Sequence, residues 1–369
     1  MRILIISDTE GSQGLWGEAV ATTSRLLQAG GHDVSHCAVT HPTDVMGRLR
    51  GSFGLDGTPG QLRSRIAGER PDCVHLMGVA PMRAPAVAAA VAACGVRTLW
   101  SVSDYRPICP SGKCRTPRGG VCEECIHGKP QVMARRCVEG RTIPSFIALL
   151  DTLYWDVRRL SRVADTLITS SDFMRNKWLE AGFPAARVAS LPLPQPEADE
   201  ESLSSPGEYF CYIGPLTADS GVETLVRAAL NAERPLVVAG RGELEARLRD
   251  LASRSPSIRI IPGPEPGLVA GARAVVVPSE SYLCGAESVK TALCAGTPVI
   301  TADIGELSEM VADDDGVRFT PANAEELAAL MKDFDKRHEF NRLDIRRRAR
   351  ERYSENLYYK KLLQLYRGC

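Results

Sequence analysis

The strongest constraint on the fold is a repeated alternation of short, continuous apolar runs with helical stretches. In the first half of the chain the runs are Arg2–Ser7, Val34–Val39, Cys73–Met77, Arg97–Val102 and Thr166–Thr169. Runs of this kind, rich in β-branched residues, are typical of strands buried on both faces of a parallel sheet. Helical patterns such as Glu18–Leu27 and Ala84–Ala93 separate them. The first half is therefore predicted to be a doubly wound α/β domain.

A segment rich in Pro, acidic residues and Ser interrupts this pattern at residues 192–208 (PLPQPEADEESLSSPGE). This composition is typical of a linker. The alternation then restarts with Tyr209–Ile213, Leu236–Val238, Ile258–Ile261, Ala274–Val277 and Val299–Ile300. We predict an N-terminal domain over 1–195, a linker over 196–208 and a second domain over 209–344. The tail, 345–369, reads as one long helix from Ile345 to Tyr366 and is expected to pack back toward the first domain.

The bulk properties agree with a two-domain globular protein and argue against several other classes. The chain has 369 residues and a formal net charge of zero, so neither nucleic acid nor an anionic membrane is indicated as a partner by the overall balance. No apolar stretch is long enough for a transmembrane helix, and the first apolar run is too short for a signal peptide. We therefore expect a cytoplasmic protein with reduced thiols and no integral membrane segment. No G-x-G-x-x-G follows the first run, which argues against a nicotinamide-dependent dehydrogenase.

Several motifs, taken in order, give the chain a family resemblance. The most informative is Pro278–Ile300 (PSESYLCGAESVKTALCAGTPVI), preceded by Tyr212–Gly214, Gly221–Leu225 and Val238–Gly242 and followed by Gly305–Glu309. In the first half the matching segments are the Gly14–Gly17 loop, Asp104-Tyr105 with Cys109-Pro110, and Ser171 before a helix. Together they resemble the retaining sugar-nucleotide glycosyltransferases of family 4. The resemblance implies the GT-B fold, in which two Rossmann-like domains face each other across a cleft.

The resemblance also implies which residues would contact a sugar donor, an activated nucleotide sugar, and an acceptor of unknown identity. Asp104 and Glu309 are the candidate catalytic residues. The candidate substrate-binding residues are Gly14, Gly17, Ser103, Gly214, Gly240, Arg241, Gly242, Glu287 and Lys290. Arg241 and Lys290 would hold the phosphates, and Glu287 would take hydroxyl groups, because a diphosphate needs cations and a sugar needs hydrogen-bond acceptors.

The sequence departs from the family at most of the positions that usually hold the donor. Pro215 stands for an Arg, Ser220 for a Lys, Leu283 and Thr291 for two Glu, Ser103 for a His and Leu193 for an Asn. Each charged hydrogen bond contributes roughly 1.5–3 kcal/mol, whereas a micromolar ligand has about 8 kcal/mol of binding free energy in total. Three functions therefore stay open: a glycosyltransferase with an altered donor site, an inactive relative that serves as a protein partner or carbohydrate-binding subunit, and a coupling enzyme that uses an unusual donor.

Five cysteines are concentrated in one stretch, at positions 109, 114, 122, 125 and 137. Cys122 and Cys125 form a C-x-x-C, a spacing that lets two thiolates reach one tetrahedral metal. Cys109 and Cys137 complete a set of four that is similar to a cysteine pattern in some family 4 members. We expect a structural zinc at these four residues, within an insertion at about 106–140. An iron–sulfur cluster and unliganded or redox-active thiols are the alternatives.

Overall fold

The computed structural model describes residues 1–8, 14–39, 45–102, 104–196, 207–337 and 339–368. The chain divides into two compact units. The first comprises Met1–Arg118, Cys122–Pro194 and Glu355–Cys369, and the second comprises Gly119–Val121 and Gln195–Ser354. Within the described ranges, no helix combines the length and the apolarity needed to cross a bilayer.

The first unit contains a six-stranded parallel sheet with the strand order β2-β1-β3-β4-β5-β6. Its strands are β1 (Arg2–Asp8), β2 (Asp33–Val39), β3 (Cys73–Leu76), β4 (Arg97–Ser101), β5 (Thr166–Thr169) and β6 (Val188–Ser190). The helices between them are α1 (Gly14–Ala29), α2 (Val45–Ser52), α3 (Thr58–Glu69), α4 (Ala84–Ala92), α5 (Gln131–Arg135), α6 (Thr142–Tyr154), α7 (Val157–Val163) and α8 (Asp172–Glu180).

The apolar runs form the central strands of this sheet because both of its faces are covered. Every residue of β3 and of β5 is buried, as a parallel sheet with helices on both sides requires. One boundary predicted from the sequence is wrong: Gly14 and Gly17 belong to the first turns of α1 and not to a loop ahead of it. The Trp16 side chain, which packs against the first unit's core, extends the apolar side of this helix toward its N-terminus.

The second unit contains another six-stranded parallel sheet, with the order β12-β11-β10-β7-β8-β9. Its strands are β7 (Phe210–Ile213), β8 (Leu236–Ala239), β9 (Ile258–Ile261), β10 (Ala274–Val277), β11 (Val299–Ala302) and β12 (Gly316–Phe319). Its helices are α9 (Val222–Ala232), α10 (Glu245–Ala252), α11 (Ala286–Cys294), α12 (Glu306–Met310), α13 (Ala324–Arg337) and α14 (Arg342–Arg352).

The C-terminal tail is two helices, and the prediction of a single helix from Ile345 to Tyr366 is wrong. α14 ends before Tyr353, whose carbonyl group accepts a hydrogen bond from the amide of Gln195 at 2.9 Å. The last helix, α15 (Glu355–Arg367), begins after Ser354. Ser followed by an acidic residue is a favoured helix start, and this local preference divides the helical pattern in two.

Helix α15 belongs to the first unit, where its apolar side joins the core around β1, β3 and β4. The Tyr366 hydroxyl lies 2.8 Å from Nδ1 of His75, and Nε2 of His75 lies 2.9 Å from the Ser101 hydroxyl. Burial lowers the pKa of His75 to about 3, so this imidazole is neutral. A second buried contact joins the hydroxyls of Tyr358 and Thr23 at 2.9 Å. These paired polar groups therefore hold α15 against the sheet of the first unit.

Candidate functional site

The loops that follow β7 and β10 lie side by side where the second sheet reverses its strand order. β7 and β10 are neighbours in the sheet, although β8 and β9 come between them along the chain. In doubly wound sheets, ligands bind outside the carboxyl ends of the strands at such a reversal. The candidate site is therefore built on the segments Gly214–Gly221 and Pro278–Gly285.

Gly221 permits the close approach of these two loops. Its φ is +68°, and a Cβ at this position would lie 1.8 Å from the carbonyl oxygen of Pro278. The amide of Glu280 donates to the carbonyl of Asp219 at 3.0 Å, and the hydroxyl of Thr224 on α9 donates to the Glu280 carboxylate at 2.9 Å. The two loops are thereby joined, and the Glu280 carboxylate is held beside the first turn of α9.

A cavity of about 300 Å³ opens at the carboxyl ends of the strands in this unit. Its lining includes Glu280 and Tyr282 after β10, Asp303 and Gly305 after β11, and Ala322 after β12. None of the described residues that line it is Lys or Arg. Two carboxylates and a phenol without a cation suit a ligand rich in hydroxyl groups better than they suit a phosphate.

Asp303 and Glu280 were not among the candidates from the sequence, although a signal for Asp303 was present. It comes three residues after the apolar run Val299–Ile300, and polar residues at the carboxyl end of such a strand are the natural ligand contacts of a doubly wound sheet. For Glu280, the family pattern places its two acidic residues at the positions of Leu283 and Thr291 instead. The contact with Thr224, fifty-six residues away, is visible only in the fold.

The predicted substrate-binding residues Glu287 and Lys290 contact each other in the first turns of α11. Nζ of Lys290 lies 2.7 Å from Oε2 of Glu287, and the two side chains are 5% and 44% exposed, respectively. Lys290 is therefore a buried cation paired with a half-exposed carboxylate. Neither residue lines the cavity at the carboxyl ends of the strands.

The predicted glycines of the second unit lie where two loops touch. A Cβ on Gly240 would be 1.9 Å from the carbonyl oxygen of Gly214, and a Cβ on Gly242 would be 2.4 Å from that of Leu216. The amide of Leu216 donates to the carbonyl of Arg241 at 2.8 Å. These glycines let the loop after β8 pack on the loop after β7, and they leave the Arg241 side chain exposed.

Glu309 is exposed on the short helix α12, which begins directly after Gly305. Gly305 lines the cavity and Glu309 does not. The φ of Gly305 is +58°, and a Cβ there would be 2.8 Å from the Tyr282 ring. Glycine at this position therefore lets the start of α12 pack on Tyr282 at the cavity wall.

At two of the positions that depart from the family pattern, hydrogen bonds form within the loop after β7. Ser220 is 3% exposed, and its hydroxyl donates to the carbonyl of Thr217 at 2.7 Å. The Tyr212 hydroxyl donates to the carbonyl of Pro215 at 2.7 Å. Leu283 is 36% exposed. The loop after β7 thus has its own internal bonding at the positions where the family carries cations.

In the first unit the corresponding reversal lies between β1 and β3. Asp8, the last residue of β1, is buried and accepts a hydrogen bond from the amide of Ala80 at 2.6 Å. This contact joins the ends of the two strands. Gly14 and Gly17 follow at the start of α1, so their backbone lies toward the edge of the sheet at which β1 has its carboxyl end.

Asp104 comes shortly after β4 and is mostly buried. Its carboxylate accepts a hydrogen bond from the amide of Arg106 at 3.0 Å and lies 3.8 Å from the Nε atom of the same residue. Burial raises the pKa of Asp104 to about 6, and the Arg106 charge opposes the rise. The neighbouring candidate, Ser103, lies outside the described residues.

Asp151 on α6 is a second buried carboxyl group in this region, which the sequence analysis missed. It is 3% exposed, and its Oδ1 atom has no hydrogen-bond partner among the described residues. Burial raises the pKa of Asp151 to about 7; Arg106 opposes this effect and Asp104 adds to it. The signal is a single acidic residue in an otherwise uncharged and mostly apolar helix (TIPSFIALLDTLY).

In the cysteine-rich stretch, one lysine side chain contacts three backbone carbonyl groups. Nζ of Lys129 donates to the carbonyl groups of Pro107, Ile108 and Cys125, the last at 2.9 Å. The amide of Cys122 donates to the carbonyl of Cys114 at 2.8 Å. The half-buried Lys129 thus joins the beginning and the middle of the insertion.

The thiols of this stretch are close to one another. Hydrogen bonds to Cys109 from the Cys114 thiol and the Ser111 hydroxyl lower the pKa of Cys109 to about 5. Burial raises the pKa of Cys125 to about 11 and also raises the pKa of Cys137, and the neighbouring Cys109 adds to both effects. Across the described ranges, however, no three His, Cys, Asp or Glu side chains are arranged to hold a metal ion.

Comparisons with known proteins agree with this architecture. The chain matches the model "Glycosyl transferase 4-like domain" over residues 16–194 and "Glycosyl transferases group 1" over residues 207–334. No sequence among the curated proteins matches it.

Solved structures match over the whole chain. A glycosyltransferase from Rickettsia africae is 14% identical with a TM-score of 0.68, and the match covers 99% of this chain and 97% of that one. HepE of Anabaena in complex with UDP is 14% identical with a TM-score of 0.68 and full coverage of both chains. Sucrose-phosphate synthase from Thermosynechococcus elongatus is 16% identical with a TM-score of 0.69, covering 100% and 98%. At these identities the structures establish a shared fold.

The two family models together extend over both doubly wound units, and the solved structures share the architecture from end to end. The family predicted from scattered sequence motifs is thus confirmed. The chain belongs to the family-4-type glycosyltransferases with the GT-B fold.

Proposed function

We propose that this protein is a glycosyltransferase with an altered donor site, which transfers a sugar from an activated, nucleotide-linked donor to an acceptor. The observation that carries the proposal is the cavity lined by Glu280, Tyr282 and Asp303, with no cation among the described residues of its lining. Carboxylates accept hydrogen bonds from sugar hydroxyls. In this proposal the cavity carboxylates replace the polar contacts by which the family holds the donor at other positions.

The diphosphate of the donor requires a separate set of contacts. We assign it to the exposed Arg241 and to the backbone amides at the start of α11, because helix N-termini and guanidinium groups both favour anions. These groups would also stabilise the negative charge that grows on the diphosphate as the sugar leaves. Asp104 and Glu309 remain our candidates for contact with the reacting sugar.

The first experiment is a thermal-shift titration of the purified, metal-replete chain against nucleoside diphosphates and their sugars. A ligand at 100 times its Kd stabilises the folded state by about 2.7 kcal/mol, which should raise Tm by a few degrees for a protein of this size. A shift with one nucleotide sugar, followed by transfer to an acceptor panel, supports the proposal. No shift and no transfer with the whole panel would overturn it.

A catalytically inactive relative is the second candidate, and one observation favours it. Ser220, at a position where the family carries a cation, is buried and bonded within its own turn. In this case the protein would act as the partner of an active transferase or as a carbohydrate-binding subunit. Binding of free sugars without nucleotide dependence, combined with no turnover, would distinguish this function from the first.

We also propose that Cys109, Cys122, Cys125 and Cys137 bind a structural zinc ion. The proposal is supported by the soft donor set, by the closeness of the thiols and by a surrounding loop with few apolar residues. Binding would have to draw the four sulfur atoms together from the positions described above. In this proposal the metal stabilises the loop that carries the cysteines.

Elemental analysis of the chain purified without chelator tests this proposal. About one equivalent of zinc, lost together with Tm on chelation, is the expected result. Iron with visible charge-transfer absorption would instead identify an iron–sulfur cluster. A folded chain with neither metal, whose Tm is unchanged by chelator, would contradict metal binding at these cysteines.

A further inference from the structure

Helix α6 presents its large apolar side chains to solvent instead of to the core. Ile143, Phe146, Leu150, Leu153 and Tyr154 are 72%, 48%, 42%, 56% and 39% exposed, respectively. Their spacing of three and four residues places them on one side of the helix; we call this set the α6 apolar face.

The opposite side of α6 holds the helix on the protein. The buried residues there are Ser145, Ala148, Asp151 and Thr152. The helix therefore buries small and polar groups and exposes its large apolar ones, which reverses the usual arrangement of a surface helix. Contiguous exposed apolar surface of this kind marks an interaction site.

The α6 apolar face extends beyond its own helix. The Tyr154 ring contacts the Phe53 ring edge-to-face at 5.1 Å, and Nε1 of Trp155 donates to the carbonyl of Ser52 at 2.7 Å. These contacts place the segment after α2 beside the end of α6. Leu55 in that segment is 72% exposed and enlarges the apolar surface.

Arginines border this surface at both ends of α6. The exposed ones are Arg136, Arg141, Arg158, Arg159 and Arg162, whereas the exposed carboxylates in the same stretch are Glu139 and Asp156. The Arg159 guanidinium lies 3.8 Å from the centre of the Tyr154 ring. Arg141 pairs with Glu139 at 3.7 Å, and in the basic run on α14 Arg347 and Arg348 pair with Asp344 and Asp315.

We propose that the α6 apolar face inserts into the headgroup region of an anionic lipid bilayer and holds the protein at a membrane surface. Large apolar side chains bordered by arginines are the combination that lipid acyl chains and anionic headgroups bind together. A second copy of the chain is a poorer occupant, since a two-fold contact would bring each arginine border against itself. This inference does not depend on the proposed function.

The full-length chain is tested for co-sedimentation with vesicles of phosphatidylcholine alone and of phosphatidylcholine mixed with phosphatidylglycerol. Binding to the mixed vesicles should exceed binding to the neutral ones by at least about tenfold and weaken with added salt. The double variant Phe146→Ser, Leu153→Ser should bind the mixed vesicles at least about tenfold more weakly. The double variant Arg158→Glu, Arg162→Glu should lose the preference for the anionic lipid.

Leu343→Ser is the matched control, because Leu343 is 67% exposed on α14, outside this surface. It should bind like the unaltered chain, and circular dichroism should show all variants folded. Absence of vesicle binding by the unaltered chain, or binding that the two double variants do not change, would overturn the proposal. A dimer in sedimentation velocity that the Phe146 and Leu153 substitutions dissociate would overturn it too and assign the face to a second copy.

Discussion

Glu287 and Lys290 form an ion pair of 2.7 Å in which the lysine is buried and the carboxylate is 44% exposed. The unequal burial means that the two partners depend on the pair to different degrees. A buried ammonium group needs its counter-charge, whereas a half-exposed carboxylate can be hydrated without it.

The two substitutions in this pair should therefore have unequal effects. Glu287→Gln removes the charge next to the buried ammonium group and should lower the free energy of unfolding by about 1–3 kcal/mol. Lys290→Met keeps the side-chain volume and should lower it by less than about 1 kcal/mol. Urea unfolding with equal m-values measures both. Equal losses, or a larger loss for Lys290→Met, would show that the lysine does not depend on the carboxylate.

Gly221→Ala should destabilise the second unit strongly. The new Cβ would lie 1.8 Å from the Pro278 carbonyl oxygen at a φ of +68°, so one of the two loops that build the candidate site must move. We expect a loss of at least about 2 kcal/mol in the free energy of unfolding. Gly263→Ala is the control, because a Cβ at Gly263 meets nothing within 4 Å. Similar stability of the two variants would refute the close approach.

Asp151→Asn should change how stability depends on pH. Because burial raises the pKa of Asp151 to about 7 from an ordinary 3.8, the folded state keeps a proton that the unfolded state has lost between these values. Raising the pH through this window therefore favours unfolding. Above pH 7 the Asn variant should be more stable than the unaltered chain by about 1–3 kcal/mol. Near pH 4 the two should unfold at nearly the same urea concentration, and a constant difference across the window would contradict the shift.

Asp303→Asn should weaken the binding of a sugar nucleotide but not of the nucleoside diphosphate alone. The carboxylate lines a cavity whose described residues include no cation, so the contact that the variant loses is expected to be with a sugar hydroxyl. A lost charged hydrogen bond of roughly 1.5–3 kcal/mol corresponds to at least about tenfold in Kd. Calorimetric titration of both ligands measures the effect, with Asp250→Asn as the control, because Asp250 is exposed on α10. Equal weakening of both ligands would place Asp303 at the phosphates.

The central strands of both sheets could be predicted from sequence because a strand buried on two faces needs a continuous apolar run. Thr166–Thr169 and Ala274–Val277 are found at the predicted residues. Short edge strands carry no such requirement: Val188–Ser190 and Gly316–Phe319 were missed. Helix ends depend on single capping residues, which is why the break at Ser354 escaped a pattern averaged over many positions.

The candidate site was less predictable because its groups come from loops that are distant in sequence. Glu280 acquires its position from Thr224 on another helix, and no periodicity records that contact. Lys290 and Glu287, in contrast, are candidates from the sequence alone, each for its own contact: Lys290 with phosphates and Glu287 with hydroxyl groups. What the sequence could not show is that they neutralise each other, since this depends on which side of α11 is buried.

Helix α15 belongs to the first unit, but the ribosome synthesises it after the whole of the second unit. Tyr358, Leu362 and Tyr366 complete a core whose first strand is made at the opposite end of the chain. A ribosome must therefore release the entire second unit before the sheet of the first unit receives its last covering helix. Until then His75 and Thr23 lack their tyrosine partners, and the nascent first domain exposes a surface on which chaperones can act.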